Sequence, residues 1–96
     1  MAIDIMTLLQ AELDMHNPPE SRVAQLEQLK EIAASRIRQR GITLDLEDAG
    51  DVGLLVTYAA WLFRRRRQEA NAQMPEYLRL DLNDRLIAEK GRVNDG

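Results

Sequence analysis

Apolar residues recur at helical spacing in four segments of the chain, parted by prolines, a glycine and short polar runs. Ile5, Leu8, Leu9 and Leu13 predict a short amphipathic helix within Ile3 to Leu13, ending at "DMHNPPE". Prolines cannot continue a helix but suit its first position, so a second helix is expected from Pro18 to Arg40. Asn17 would be its N-cap, and Glu20, three positions on, would complete a capping box. Val23, Leu26, Leu29, Ala33 and Ile37 form its apolar stripe, widened by Ile32, and Gly41 stops it. Arg36, Arg38 and Arg40 fall in the last turns, where the helix dipole favours cations.

"GITLDLEDAGD" has the composition of a loop. Ile42, Leu44 and Leu46 alternate with polar residues, which allows a short extended piece. A lone strand makes no sheet within this chain, though it could pair with a neighbouring subunit. A third helix is expected from Asp48 or Asp51 to about Arg67. Between Leu54 and Phe63 the only polar groups are Thr57 and the Tyr58 hydroxyl, so every side of this helix is apolar. Such a helix is buried all round and should be the centre of the fold, with Leu55 in the core. "QEANAQ" links it to a fourth helix restarting at Pro75, with Leu78, Leu82 and Leu86 at successive i+4 positions. Ile87 and Ala88 add a shoulder, Gly91 ends the helix, and the tail, 93–96, is expected to be disordered. The pattern therefore predicts an all-α fold, a small bundle of about four helices around a central apolar one. It forms a single domain over residues 1–92.

At 96 residues, a domain buries only about two-thirds of the surface its unfolded chain exposes and is marginal alone. The chain has no cysteine, so neither disulfides nor thiolate metal sites supplement the core, and oligomerisation is the remaining supplement. A net charge of −3 argues against general nucleic-acid binding. Charge is nonetheless patterned: Asp45, Glu47, Asp48 and Asp51 form an acidic block, and Arg64, Arg65, Arg66 and Arg67 a basic one. Such patterning favours docking on a partner, another copy included. "MAIDIMTLL" has no basic residue and does not read as a signal peptide. The ten-residue apolar run is about half what a bilayer needs, so no membrane association is expected.

Catalytic chemistry finds little to stand on. His16 is the only histidine, which excludes a His-based triad and a histidine pair for zinc. There is no phosphate loop and no nucleophile elbow. "DLEDAG" places Asp45, Glu47 and Gly50 at the first, third and sixth positions of a calcium loop, but Ala49 and Val56 stand at the fifth and twelfth, where ligands belong. Asp48 or Asp51 is better read as the cap of the third helix. No catalytic residue, cofactor or metal is expected, and the chain does not read as an enzyme. Four consecutive arginines on a helix fan over about 300° and cannot form one stripe.

"DVGLLVTYAAWLFRRRR", followed after a linker by "MPEYLRLDLNDRLIAEKGR", resembles the small head–tail connector proteins of tailed phages and prophages, also called head-completion or adaptor proteins. The likeness spans Asp48 to Arg92 and lies in the order of features; the first half agrees in layout alone. It implies a structural protein of the virion's head–tail junction, made in the host bacterial cytoplasm. Members assemble as a ring, typically of about twelve copies, beneath the portal protein. The ring extends the DNA channel, passes DNA without reading its sequence and carries the next head–tail component. On this resemblance Tyr58, Trp61, Leu62, Leu78, Leu82 and Leu86 are core. Arg64, Arg65, Arg66, Arg67, Arg79, Asn83 and Arg85 are candidate subunit or portal contacts, together with Asp45, Glu47, Asp48 and Asp51 of the acidic block. Asp81 and Asp84 make the last helix more acidic than the family pattern. The alternative is a small helical DNA-binding or regulatory module using Arg64 to Arg67 on phosphates, which would bind DNA with a steep salt dependence.

Overall fold

A computed structural model describes residues 4–67 and 73–94. It contains four α-helices, α1 (Ile5–Glu12), α2 (Glu20–Gln39), α3 (Ala49–Arg67) and α4 (Glu76–Asn94), and no strand among the described residues. The all-α bundle expected from the periodicity is what forms.

Asp4 caps α1, its carboxylate accepting from the Thr7 amide at 3.2 Å and from the Thr7 hydroxyl. The helix closes with the Met15 amide on the Gln10 carbonyl and the Asp14 amide on that of Ala11. Asp14, at φ +57, takes the left-handed position of this Schellman closure. The start of α2 differs from expectation. Its N-cap is Pro19, without a side-chain hydrogen bond, and Asn17 lies in a turn at φ +47. The reason is the second proline: a residue before proline is pushed out of the helical region, so Pro18 cannot be the first helical residue. Pro19 is extended at ψ 159, and its carbonyl takes the amides of Arg22 and Val23. Gly41 ends α2 as expected, at φ +99.

α3 is the central element, packing on α2 and α1 and less extensively on α4. Nine of its apolar residues are buried, Leu55, Tyr58, Ala60 and Leu62 among them. Gly53 and Arg64 are exposed and Thr57 and Trp61 half-buried, so burial all round stops short on that side. Leu26, Leu29, Ala33 and Ile37 supply the buried stripe of α2, and Leu78 and Leu82 that of α4. Trp61 and Leu86 are only partly buried at the margin of the core, a correction to their placement within it. Trp61 stands edge-on to Tyr58, with ring centroids 5.7 Å apart. Ile32 and Ile87 also face out, being 40% and 68% exposed, because α2 and α4 each have a single neighbour-facing side. α4 continues past Gly91 to Asn94, since one glycine weakens a helix without ending it. Residues 68–72 of the linker and 95–96 of the expected tail lie outside the described residues.

Candidate functional site

Residues 42–48 join α2 to α3 as an extended turn. Ile42 is buried, Leu44 half-buried and Leu46 exposed, so the alternation in the sequence is real but pairs with no strand among the described residues. Side chains of α4 take the strand's place. Arg85 Nη2 donates to the Thr43 carbonyl at 2.8 Å, and the Thr43 amide donates to Glu89 Oε1 at 3.0 Å.

The same arginine binds Asp51 with two donors, Nε to Oδ1 at 2.7 Å and Nη2 to Oδ2 at 3.2 Å, and Glu89 through Nη1 at 3.1 Å. Asp51 Oδ2 also accepts the Asp45 amide at 2.9 Å. One guanidinium thus ties the 42–45 segment, the start of α3 and the body of α4 together. Asp51 and Glu89 are both buried. Hydrogen bonding to Asp51 raises the Arg85 pKa above its ordinary value, and burial opposes that only partly.

Of the acidic block only Asp51 is turned inward; Asp45, Glu47 and Asp48 are exposed. Asp48 Oδ2 accepts the Asp51 amide at 3.0 Å, which makes Asp48 the cap of α3. Asp45 Oδ1 accepts the Glu47 amide at 3.0 Å in an Asx turn. Among the described residues no three acidic or imidazole groups gather as metal ligands. Asp51 and Arg85, both candidates for subunit or portal contact, bind each other inside the chain. Sequence reasoning missed Glu89 altogether. A signal was present, because Leu78, Leu82, Arg85 and Glu89 follow one another at spacings of four, three and four, placing two charges on the buried side of α4.

Arg64 diverges from Arg65 and Arg66 as helical geometry requires. Arg64 reaches back to α1, donating from Nη2 to the Glu12 carbonyl at 3.0 Å, where the helix end is electronegative. Arg65 lies over the Trp61 ring, 5.5 Å from its centroid. Arg65 and Arg66 then line a groove between α2 and α3 with Arg36, over a floor of Leu29, Ile32 and Leu62. This groove has a volume of about 660 Å³. The Arg67 side chain lies outside the described residues. Arg79 is exposed and 3.6 Å from Glu76 of its own helix, and Asn83 is exposed.

A second groove, between the start of α3 and the side of α4, is lined by Asp45, Asp48, Asp81 and Asp84 together with the Asp51–Arg85 pair, and is acidic on balance. The two grooves share no lining residue. Among the described residues no helix is long and apolar enough to cross a membrane. No family model, curated protein or solved structure matches the chain.

Proposed function

We propose that this protein is a non-enzymatic structural component that assembles with copies of itself into a ring at a phage or prophage head–tail junction. The ring sits under the portal, extends the DNA channel and carries the next head–tail component. The observation that carries the reading is the presence, on one small chain, of two separate grooves of opposite charge. A surface that pairs with itself needs a single self-complementary patch. Two unlike patches make head-to-tail contacts, which close into a ring when the rotation per subunit allows. The order of features across α3 and α4 supplies the connector assignment, and a domain of marginal size gains stability from neighbours.

The alternative of an arginine grip on DNA is weaker, because two of the arginines are already engaged within the chain. Arg64 is engaged by α1 and Arg65 is stacked on Trp61. Light scattering of the protein alone and after mixing with the portal protein, followed by electron microscopy, tests the reading. Rings, either free or seated on the portal, are expected. A chain that stays monomeric at every concentration and ignores the portal overturns it, and DNA binding that weakens steeply with salt would favour the alternative.

A further inference from the structure

α4 carries more apolar surface than its own fold uses. Tyr77, Leu80 and Ile87 are 54%, 48% and 68% exposed. With Asp81, Asp84 and Ala88 they fall within an arc of about 120° on the helix, facing away from Leu78, Leu82 and Glu89. Three large apolar side chains around two aspartates form a continuous face, unlike the scattered exposed apolar residues of ordinary surfaces. The α2–α3 groove has the opposite character. Its floor is Leu29, Ile32 and Leu62, and its rim is Arg36, Arg65 and Arg66. Among the described residues, Arg36, Arg66, Asp81 and Asp84 take part in no ion pair within the chain.

We propose that the outer face of α4 in one copy seats in the α2–α3 groove of the next. Tyr77, Leu80 and Ile87 cover the apolar floor around Ile32, while Asp81 and Asp84 meet Arg36 and Arg66. This is a helix-in-groove contact, with area from the apolar residues and register from the charges. Like faces are excluded from pairing by their own charge: two α4 faces would oppose aspartate to aspartate, and two grooves arginine to arginine. The contact is therefore head-to-tail, and repetition generates a ring or a filament. The proposal rests on the self-assembly put forward above and names its contact. This arrangement takes up the α4 wall of the acidic groove, Asp81 and Asp84, and leaves its Asp45 and Asp48 side open.

The absence of cysteine makes a direct test clean. Ile32→Cys and Ile87→Cys place single thiols at exposed positions, one on each face. With a short bismaleimide, the mixture of the two variants gives a covalent dimer and each variant alone stays monomeric on a denaturing gel. A chain carrying both substitutions gives a ladder. Cross-linking of Ile87→Cys with itself at equal yield, or no cross-linking in the mixture, overturns the proposal.

Charge reversal provides the second arm. Asp81→Arg with Asp84→Arg, and Arg36→Glu with Arg66→Glu, each make the two faces alike in charge. Each is expected to lose assembly by at least about tenfold in concentration while keeping the wild-type circular dichroism, and an equimolar mixture is expected to restore it. If the wild-type protein assembles but neither the cross-link nor the reversal behaves this way, this contact is wrong and self-assembly stands. If the wild-type protein neither assembles nor cross-links, both fall together.

Discussion

Arg85 and Asp51 lie 34 positions apart in the chain, yet the guanidinium holds both carboxylate oxygens, at 2.7 and 3.2 Å. The pair decides how α4 attaches, because α4 has limited contact with the rest of the bundle apart from α3. Removing Arg85 leaves Asp51 and Glu89 buried with their charges less compensated and strips the Thr43 carbonyl of a donor. Breaking a buried pair from one side costs about 3–5 kcal/mol, a large share of the stability of so small a domain. Arg85→Met should therefore lower the urea midpoint sharply. Arg85→Lys should recover only part of the loss, since an ammonium cannot repeat the fork. An unchanged midpoint in Arg85→Met would show that the network adds nothing to stability.

Much of the bundle is legible in the sequence because burial in a helix repeats every three or four residues. α2 and α3 follow directly from Leu26–Leu29–Ala33–Ile37 and from the apolar run before Arg64. The start of α2 is misread because a proline's preference for the first helical turn is local, and the neighbouring proline overrules it. The ion network is hidden for a different reason. Asp45, Asp48 and Asp51 read as one acidic surface, but three-dimensional packing turns Asp51 inward to meet Arg85, a pairing that no local pattern encodes. Ile32 and Ile87 fall at or beside apolar stripes, and only the packing of the bundle shows that they face outward.

Gly41 should be intolerant of a side chain. It sits at φ +99 where α2 turns into the 42–45 segment. An added Cβ would find Leu86 Cδ1 at 3.6 Å, an ordinary contact, so the penalty comes from the backbone rather than from crowding. Gly41→Ala is expected to destabilise by about 1 kcal/mol or more, read from chemical denaturation. A neutral or stabilising result would mean that the turn relaxes to a negative φ.

α1 should loosen in acid through its cap. Hydrogen bonds from the Thr7 side chain, and then from its backbone, hold the Asp4 carboxyl below its ordinary pKa. A lowered pKa in the folded state means that the stabilisation is complete above the ordinary value and disappears as pH falls through the lowered one. The chemical shifts of residues 5–12 should accordingly move toward coil below about pH 4. Asp4→Asn, whose amide oxygen still caps but does not titrate, should keep α1 at neutral pH and blunt this transition. Wild-type shifts that do not respond to pH in this range would rule the cap out as the cause.

Leu78 and Ile87 separate the two sides of α4 experimentally. Leu78 is fully buried, and Leu78→Ala should cost about 2–5 kcal/mol through lost contacts and the cavity left behind. Ile87 is 68% exposed, so Ile87→Ser should change monomer stability by no more than about 0.5 kcal/mol. Its effect should appear instead in assembly, because the proposed contact buries Ile87 against the neighbour's groove and a serine there forfeits that burial. Denaturation of the dilute protein and light scattering of the concentrated protein, run on both variants, should therefore respond in opposite order. If Ile87→Ser assembled as readily as the wild type, the outer face of α4 would not be where copies of this chain meet.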